Sequence, residues 1–178
     1  MRALLLLALV ACGDDGMPSP VDGAPQSDAA PGDMMGNNLS TTCTGACATT
    51  TLSATFGAAT RMLTDAYFGV SMDGTLYVEA YGGAAAGCPT MSSPTPNYTL
   101  IFGSVPVPTS TAEITSPANL IDFEGDLLPT VMPAKATVVK LAPVAKNAME
   151  LALDVDLTFA TGTITGHLFA THCDSLDE

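Results

Sequence analysis

The sequence predicts an all-β domain, an antiparallel β-sandwich or small β-barrel of about eight strands. Three observations carry that expectation. No stretch sustains the 3.6-residue apolar period of a helix, whereas several segments alternate apolar and polar residues between Gly, Pro and Asp. Thr supplies 23 of the 178 residues, and together with Val and Ile it favours extended backbone. Apolar residues reach 47%, enough to fill a core, so the chain as a whole is not disordered.

In chain order the strands are expected at 48–56, 64–72, 75–82, 97–105, 118–124, 135–142, 149–159 and 163–172. The first begins just after Cys47. Asp73-Gly74 separates the second from the third. The Gly/Ala/Pro/Ser/Thr-rich stretches 83–96 and 106–117 read as long loops on either side of the fourth. The clearest strand is the seventh. There Leu151, Leu153, Val155, Leu157 and Phe159 alternate with Glu150, Ala152, Asp154, Asp156 and Thr158, one set facing a core and the other water.

Register is legible at two turns. A three-residue loop, Met72-Asp73-Gly74 with Gly74 left-handed, pairs Val70 with Leu76 and Phe68 with Val78. A two-residue turn would mix core with surface, because a one-residue slip flips every side chain. The preferred register gathers Asp65, Tyr67, Tyr77, Glu79 and Tyr81 on the opposite face, a candidate ligand surface of three tyrosines and two carboxylates. Around Thr161-Gly162 an even loop is expected instead, pairing Phe159 with Ile164 and Val155 with Leu168, and setting Asp156 opposite His167.

Charged residues make up 13% of the chain, about half the roughly 25% usual in soluble domains. Eighteen Asp and Glu against five Lys and Arg give a net charge of -13. Nucleic acid is thereby excluded as a partner, since phosphate recognition needs clustered cations.

At the N-terminus, Met1-Arg2 precedes an uninterrupted apolar run, Ala3 to Val10. The run is too short for a membrane span, which needs about 20 apolar residues, and fits a secretory signal peptide. It ends in Leu9-Val10-Ala11-Cys12, which resembles the lipobox of bacterial lipoproteins. The resemblance covers residues 1–15. It implies that residues 1–11 are removed, that Cys12 is thioether-linked to diacylglycerol and acylated on its freed amine, and that the lipid holds the protein to the membrane. Gly13 follows the cysteine, where Asp is the inner-membrane retention signal in enterobacterial lipoproteins. By the same resemblance the outer membrane is the expected destination. Residues 12–40 then form the lipidated Cys and an acidic, Pro-rich tether without a basic residue. As a flexible coil of about 28 residues it would span about 30 Å. Residues 41–178 are left for the β-domain.

Setting Cys12 aside leaves Cys43, Cys47, Cys88 and Cys173. In an exported chain two disulfides are expected. Three connectivities are open, and if the first and last strands are antiparallel neighbours, Cys43 or Cys47 lies near Cys173.

No catalytic set emerges. His167 and His172 sit five apart on one strand and face opposite ways, so they do not form a metal site. Asp156 with His167 is two thirds of a triad without a nucleophile, and G-x-S-x-G, S-x-x-K, H-E-x-x-H and P-loop patterns do not occur. Asp122, Glu124 and Asp126 on alternate positions around Gly125 are weak Ca²⁺ candidates that miss the EF-hand spacing. No other cofactor than the covalent lipid is implied. The expected function is a non-catalytic, disulfide-stabilised β-domain that binds or scaffolds an envelope protein or polysaccharide at the membrane surface. The alternatives are a carboxylate hydrolase using Asp154/Asp156 or Asp122/Glu124, and a purely structural coat protein.

Overall fold

A computed structural model describes residues 38–83, 87–130 and 132–178. The signal sequence, Cys12 and the tether as far as residue 37 lie outside the described residues. Ten strands form one sheet: β1 (Thr51–Phe56), β2 (Ala59–Leu63), β3 (Asp65–Val70), β4 (Leu76–Gly82), β5 (Tyr98–Val105), β6 (Ala118–Asp122), β7 (Ala134–Lys135), β8 (Val138–Lys146), β9 (Glu150–Thr158) and β10 (Gly162–His172). The protein is all-β. All eight expected strands are present, and β2 and the two-residue β7 are additions. Strand β2 escapes the sequence reading because Leu63 is its sole fully buried side chain.

The sheet runs β2-β1-β10-β3-β4-β5-β6-β7, with β9 on the other side of β10 and β8 beyond it. Every pairing is antiparallel except β10 with β3, where Thr171 and His172 lie beside Tyr67 and Phe68. That exception follows from connectivity. Strands β1 and β2 are antiparallel, β1 and β10 are antiparallel, and β3 continues β2 after one residue, so β3 points along β10. The sheet therefore mixes both senses. It curls into a half-barrel whose open side is bridged by reciprocal backbone bonds between Ile114 and Leu141, 2.9 Å each.

The core fills the concave side. Leu151, Leu153, Val155, Leu157 and Phe159 all enter it, together with Leu52, Phe56, Phe68, Val78, Leu100, Phe102 and Ile164. At full burial each such side chain contributes about 1.5–3 kcal/mol. The first hairpin has the expected register, Val70 opposite Leu76 and Phe68 opposite Val78. Gly74 closes its loop at φ +81°, a conformation other residues adopt at a cost of about 1–2 kcal/mol.

The second hairpin is a correction. Phe159 N–H donates to Gly162 O at 2.8 Å, so the loop is Ala160-Thr161. Leu157 pairs with Ile164, Val155 with Gly166, and Asp154, not Asp156, faces His167. Parity survives and the core face is unchanged, but the ladder slides by two residues. The cause is tertiary: Gly162 belongs to the strand, where a Cβ would come within 2.3 Å of Thr55 O and touch the Phe56 ring. Packing against β1 thus draws Gly162 out of the turn.

Two caps cover parts of the convex face. Ser40 bridges to Ala145, and Lys146 N–H donates to Ser40 O at 2.8 Å, so folded structure begins before residue 41. From there the chain lays Cys43 against Ala145 and Ala152, which accounts for Ala152 being buried on the side expected to be wet. The second cap lays Cys173 and Leu176 over Tyr67 and Tyr81. Each cap carries a disulfide, Cys43–Cys47 and Cys88–Cys173.

All four expected cysteines are bonded, but Cys173 does not approach the first pair. Strands β1 and β10 are indeed antiparallel neighbours, yet their ladder stops at Thr51 and His167. Beyond it the Thr50 hydroxyl takes over both backbone groups of Phe169, at 2.8 and 2.9 Å. Strand β10 then crosses to β3, where Cys173 N–H donates to Phe68 O at 2.8 Å.

Candidate functional site

The register of β3 and β4 sets Asp65 opposite Tyr81, Tyr67 opposite Glu79 and Gly69 opposite Tyr77. The five predicted residues therefore do share one face. They are not an open surface. Tyr67 and Tyr81 are buried, while Asp65, Tyr77 and Glu79 are half-buried. Gly69 is the reason the C-terminal segment can lie so close, since a Cβ there would sit 2.1 Å from Leu176 O. From the other side Gly87 N–H donates to the Tyr67 hydroxyl at 2.7 Å, and the chain after it roofs the tyrosines.

A carboxylate drawn partly out of water needs partners, and those of Glu79 are phenols, not cations. Tyr77 donates to Oε1 at 2.8 Å, and Tyr81 donates to Oε2. Burial first, and then the Glu79 carboxylate, raise both phenols above the usual tyrosine range. The Tyr67 and Tyr81 rings lie 6.1 Å apart at 44°. Between these rings and the chain from Pro89 to Pro96 runs a slot of about 180 Å³. Its floor is aromatic, its roof carries three prolines, and Thr90, Ser93 and Thr95 supply hydroxyls. The Cys88–Cys173 bridge ties roof to floor. In the sequence 83–96 reads simply as a loop, because the Cys88–Cys173 pairing that carries the prolines over β3 and β4 is one of three open connectivities there.

His167 stands on the same convex side, beneath the other cap. Its Nδ1 lies 2.7 Å from Asp154 Oδ1 and its Nε2 2.8 Å from Cys47 O, both within hydrogen-bond reach. The position facing the imidazole is thus a backbone carbonyl, where a triad would place a nucleophile. His172 is held by Asp177 at 3.0 Å and packs on the Phe68 ring.

The three carboxylates considered for Ca²⁺ are not brought together. Asp122 turns inward and its oxygens accept from the N–H groups of Gly125, Leu127 and Leu128 at 2.7–2.9 Å. Burial works to raise this carboxyl, but those backbone donors with that of Glu124 hold it below the usual range. Asp126 is paired with Arg61 and accepts from Tyr98 at 2.9 Å. Glu124 stays exposed. Asp154 and Asp156 line a shallow hollow of about 240 Å³ with Glu113 and Lys140.

Compared with known proteins, the chain matches no family model, no curated protein and no solved structure.

Proposed function

We propose that the chain is an exported, lipid-anchored envelope protein whose β-domain binds a ligand and does not transform it, through the Tyr67–Tyr81 slot. The slot carries this reading. It is a concavity with an aromatic floor and a few convergent hydroxyls, held by a disulfide, and so preorganised for binding. Its size suits one sugar ring or one side chain of an envelope protein, and tyrosine faces stack well on either. Two disulfides fit an oxidising, exported setting. Among the described residues no helix is long and apolar enough to cross a membrane, and attachment is assigned to Cys12 through the lipobox resemblance, in the outer membrane.

The test has two arms. Mass spectrometry of the mature protein should find Cys12 first, carrying acyl mass; an intact Met1 or an unlipidated soluble form overturns the anchor. Residues 38–178 immobilised against native envelope extracts and a polysaccharide panel should retain a ligand that Tyr67→Ala or Tyr81→Phe weakens. Retention unchanged by both variants overturns the slot.

The second reading, a carboxylate hydrolase, has in its favour the hollow shared by Asp154, Asp156 and Glu113. The bond from His167 to Asp154 weighs against it by occupying one of the two acids. Cleavage of a glycan lost on Asp156→Asn would establish it.

A further inference from the structure

The corner where the first cap meets β10 holds a combination not used above. The sulfurs of Cys43 and Cys47 and a ring nitrogen of His167 lie within 4.8 Å of one another. Cys43 is buried and Cys47 half-buried, and a hollow of about 650 Å³ lined by Ala46, Cys47, Thr49, Asp154 and His167 opens the corner to solvent. Gly45, at φ +63°, makes the tight turn that returns Cys47 to Cys43.

We propose that reduction of Cys43–Cys47 converts this corner into a site for one borderline-soft transition-metal ion of the Zn²⁺ type, with Cys43, Cys47 and His167 as ligands. Three features support it. A Cys-x₃-Cys spacing falls in the range used by thiolate zinc sites. With Zn–S about 2.3 Å and Zn–N about 2.0 Å, tetrahedral ligand atoms sit about 3.5–3.8 Å apart, so the ring nitrogen need approach by about 1.3 Å at most, while the two sulfurs move apart to that spacing once the bond between them is broken. Finally, Asp154 already holds Nδ1 at 2.7 Å. That is the carboxylate–histidine arrangement which fixes the ring of a metal-bound His and leaves Nε2 as the ligand atom.

The chemistry balances with a dithiol as reductant. It delivers two electrons and two protons to the S–S bond, which breaks to two thiols while the reductant closes to its own disulfide. Metal binding then releases both thiol protons to solvent. The Nε2 proton leaves as well, and His167 exchanges its bond to Cys47 O for one to the ion. Three protein ligands leave a fourth position for water or an exogenous group.

The test uses the chain as isolated, with Co²⁺ and Zn²⁺ as probes under anaerobic dithiol. The reduced protein should bind one equivalent of Co²⁺, with the thiolate-to-cobalt charge-transfer absorption that carboxylate sites lack, and Zn²⁺ should displace it. The oxidised protein should show no such band. A Cys43→Ser/Cys47→Ser double variant, which keeps Cys88–Cys173, should lose the band. His167→Gln should weaken binding at least about tenfold, and Asp154→Asn about 10- to 100-fold. Absence of the band in reduced protein, or its persistence in the double variant, overturns the proposal. Should the double variant fail to fold, unchanged affinity in His167→Gln overturns it on its own.

Discussion

Tyr77 donates its hydroxyl to Glu79 Oε1 at 2.8 Å from two positions upstream on the same strand. The period of two puts both side chains on the convex face of β4, and Tyr81, two positions on, completes the set. One carboxylate thereby satisfies a half-buried and a buried phenol without a cation, which suits a chain so poor in Lys and Arg.

Both phenols favour the neutral form in the folded state, so the sign of the pH dependence is fixed. Their folded pKa values lie above the unfolded value of about 10. The stability they contribute is complete below about pH 10 and is lost as pH rises toward the folded values. Ultraviolet titration should therefore find Tyr77 and Tyr81 ionising late, together with Tyr98, whose phenol is also raised by burial and then by its bond to Asp126, with the onset of alkaline unfolding. Glu79→Gln should bring Tyr77 and Tyr81 down while leaving them above the usual range, because burial is the larger cause. Glu79→Ala should cost about 2 kcal/mol, hydrogen bonds to a charged group being worth about 1.5–3 kcal/mol.

The two disulfides should differ in what they contribute. Cys88–Cys173 spans 85 residues and Cys43–Cys47 spans four. On chain entropy alone the first is worth about 4–5 kcal/mol and the second about 2 kcal/mol. Denaturant unfolding of Cys88→Ala/Cys173→Ala should show the greater loss, and the slot beneath the prolines should open with it. Equal losses from the two pairs would mean that the Cys43–Cys47 cap stabilises the fold chiefly through its packing on Ala145 and Ala152.

Gly166 should resist substitution more than any turn glycine. It sits within β10 at φ +132°, and a Cβ would fall 2.2 Å from the backbone oxygen of Thr51. Gly166→Ala must push β1 off β10 beside His167. The expected outcome is a loss of about 3 kcal/mol or more, of the size reached by overpacked cores, with weakened hydrogen-exchange protection confined first to β1. Gly74→Ala, with open space around it, should cost only about 1–2 kcal/mol.

These glycines also mark where the sequence could be read and where it could not. Local constraints were legible. Gly74 needed a left-handed loop, burial forced Val70 opposite Leu76, and the face shared by Tyr67, Tyr77, Glu79 and Tyr81 followed. Constraints imposed from elsewhere in the fold were not. Gly162 read as a turn residue because nothing near it in sequence reveals Thr55 and Phe56 packed against it. Asp154 consequently displaced Asp156 as the partner of His167. Tyr67 and Tyr81 share one face by strand parity alone, yet their burial depends on a roof from residues 87–96 and on Leu176. Asp122 reads as one of three clustered carboxylates because its real partners are backbone N–H groups, which have no side-chain signature.

Asp122 yields the sharpest acid prediction. Its carboxylate caps the N–H groups of Gly125, Leu127 and Leu128 at the end of β6, and Gly125 supplies the turn with φ +76°. Its folded pKa lies below the unfolded value, so the stability it brings is present above about pH 4 and is lost as pH falls through the folded value. Asp122→Asn keeps the shape but removes the charge and one acceptor. It should lower stability at neutral pH by about 2 kcal/mol and flatten the acid limb of the profile, so that mutant and parent converge at low pH. Asp122→Ala orphans several N–H donors at once and should cost more, about 3 kcal/mol or above, freeing Leu127 and Leu128 from the core they cover. Neither change touches the pair of Arg61 and Asp126 directly. If Asp122→Asn left the acid limb as steep as in the parent protein, the loop after β6 would owe its form to Leu127 and Leu128 packing and not to the carboxylate.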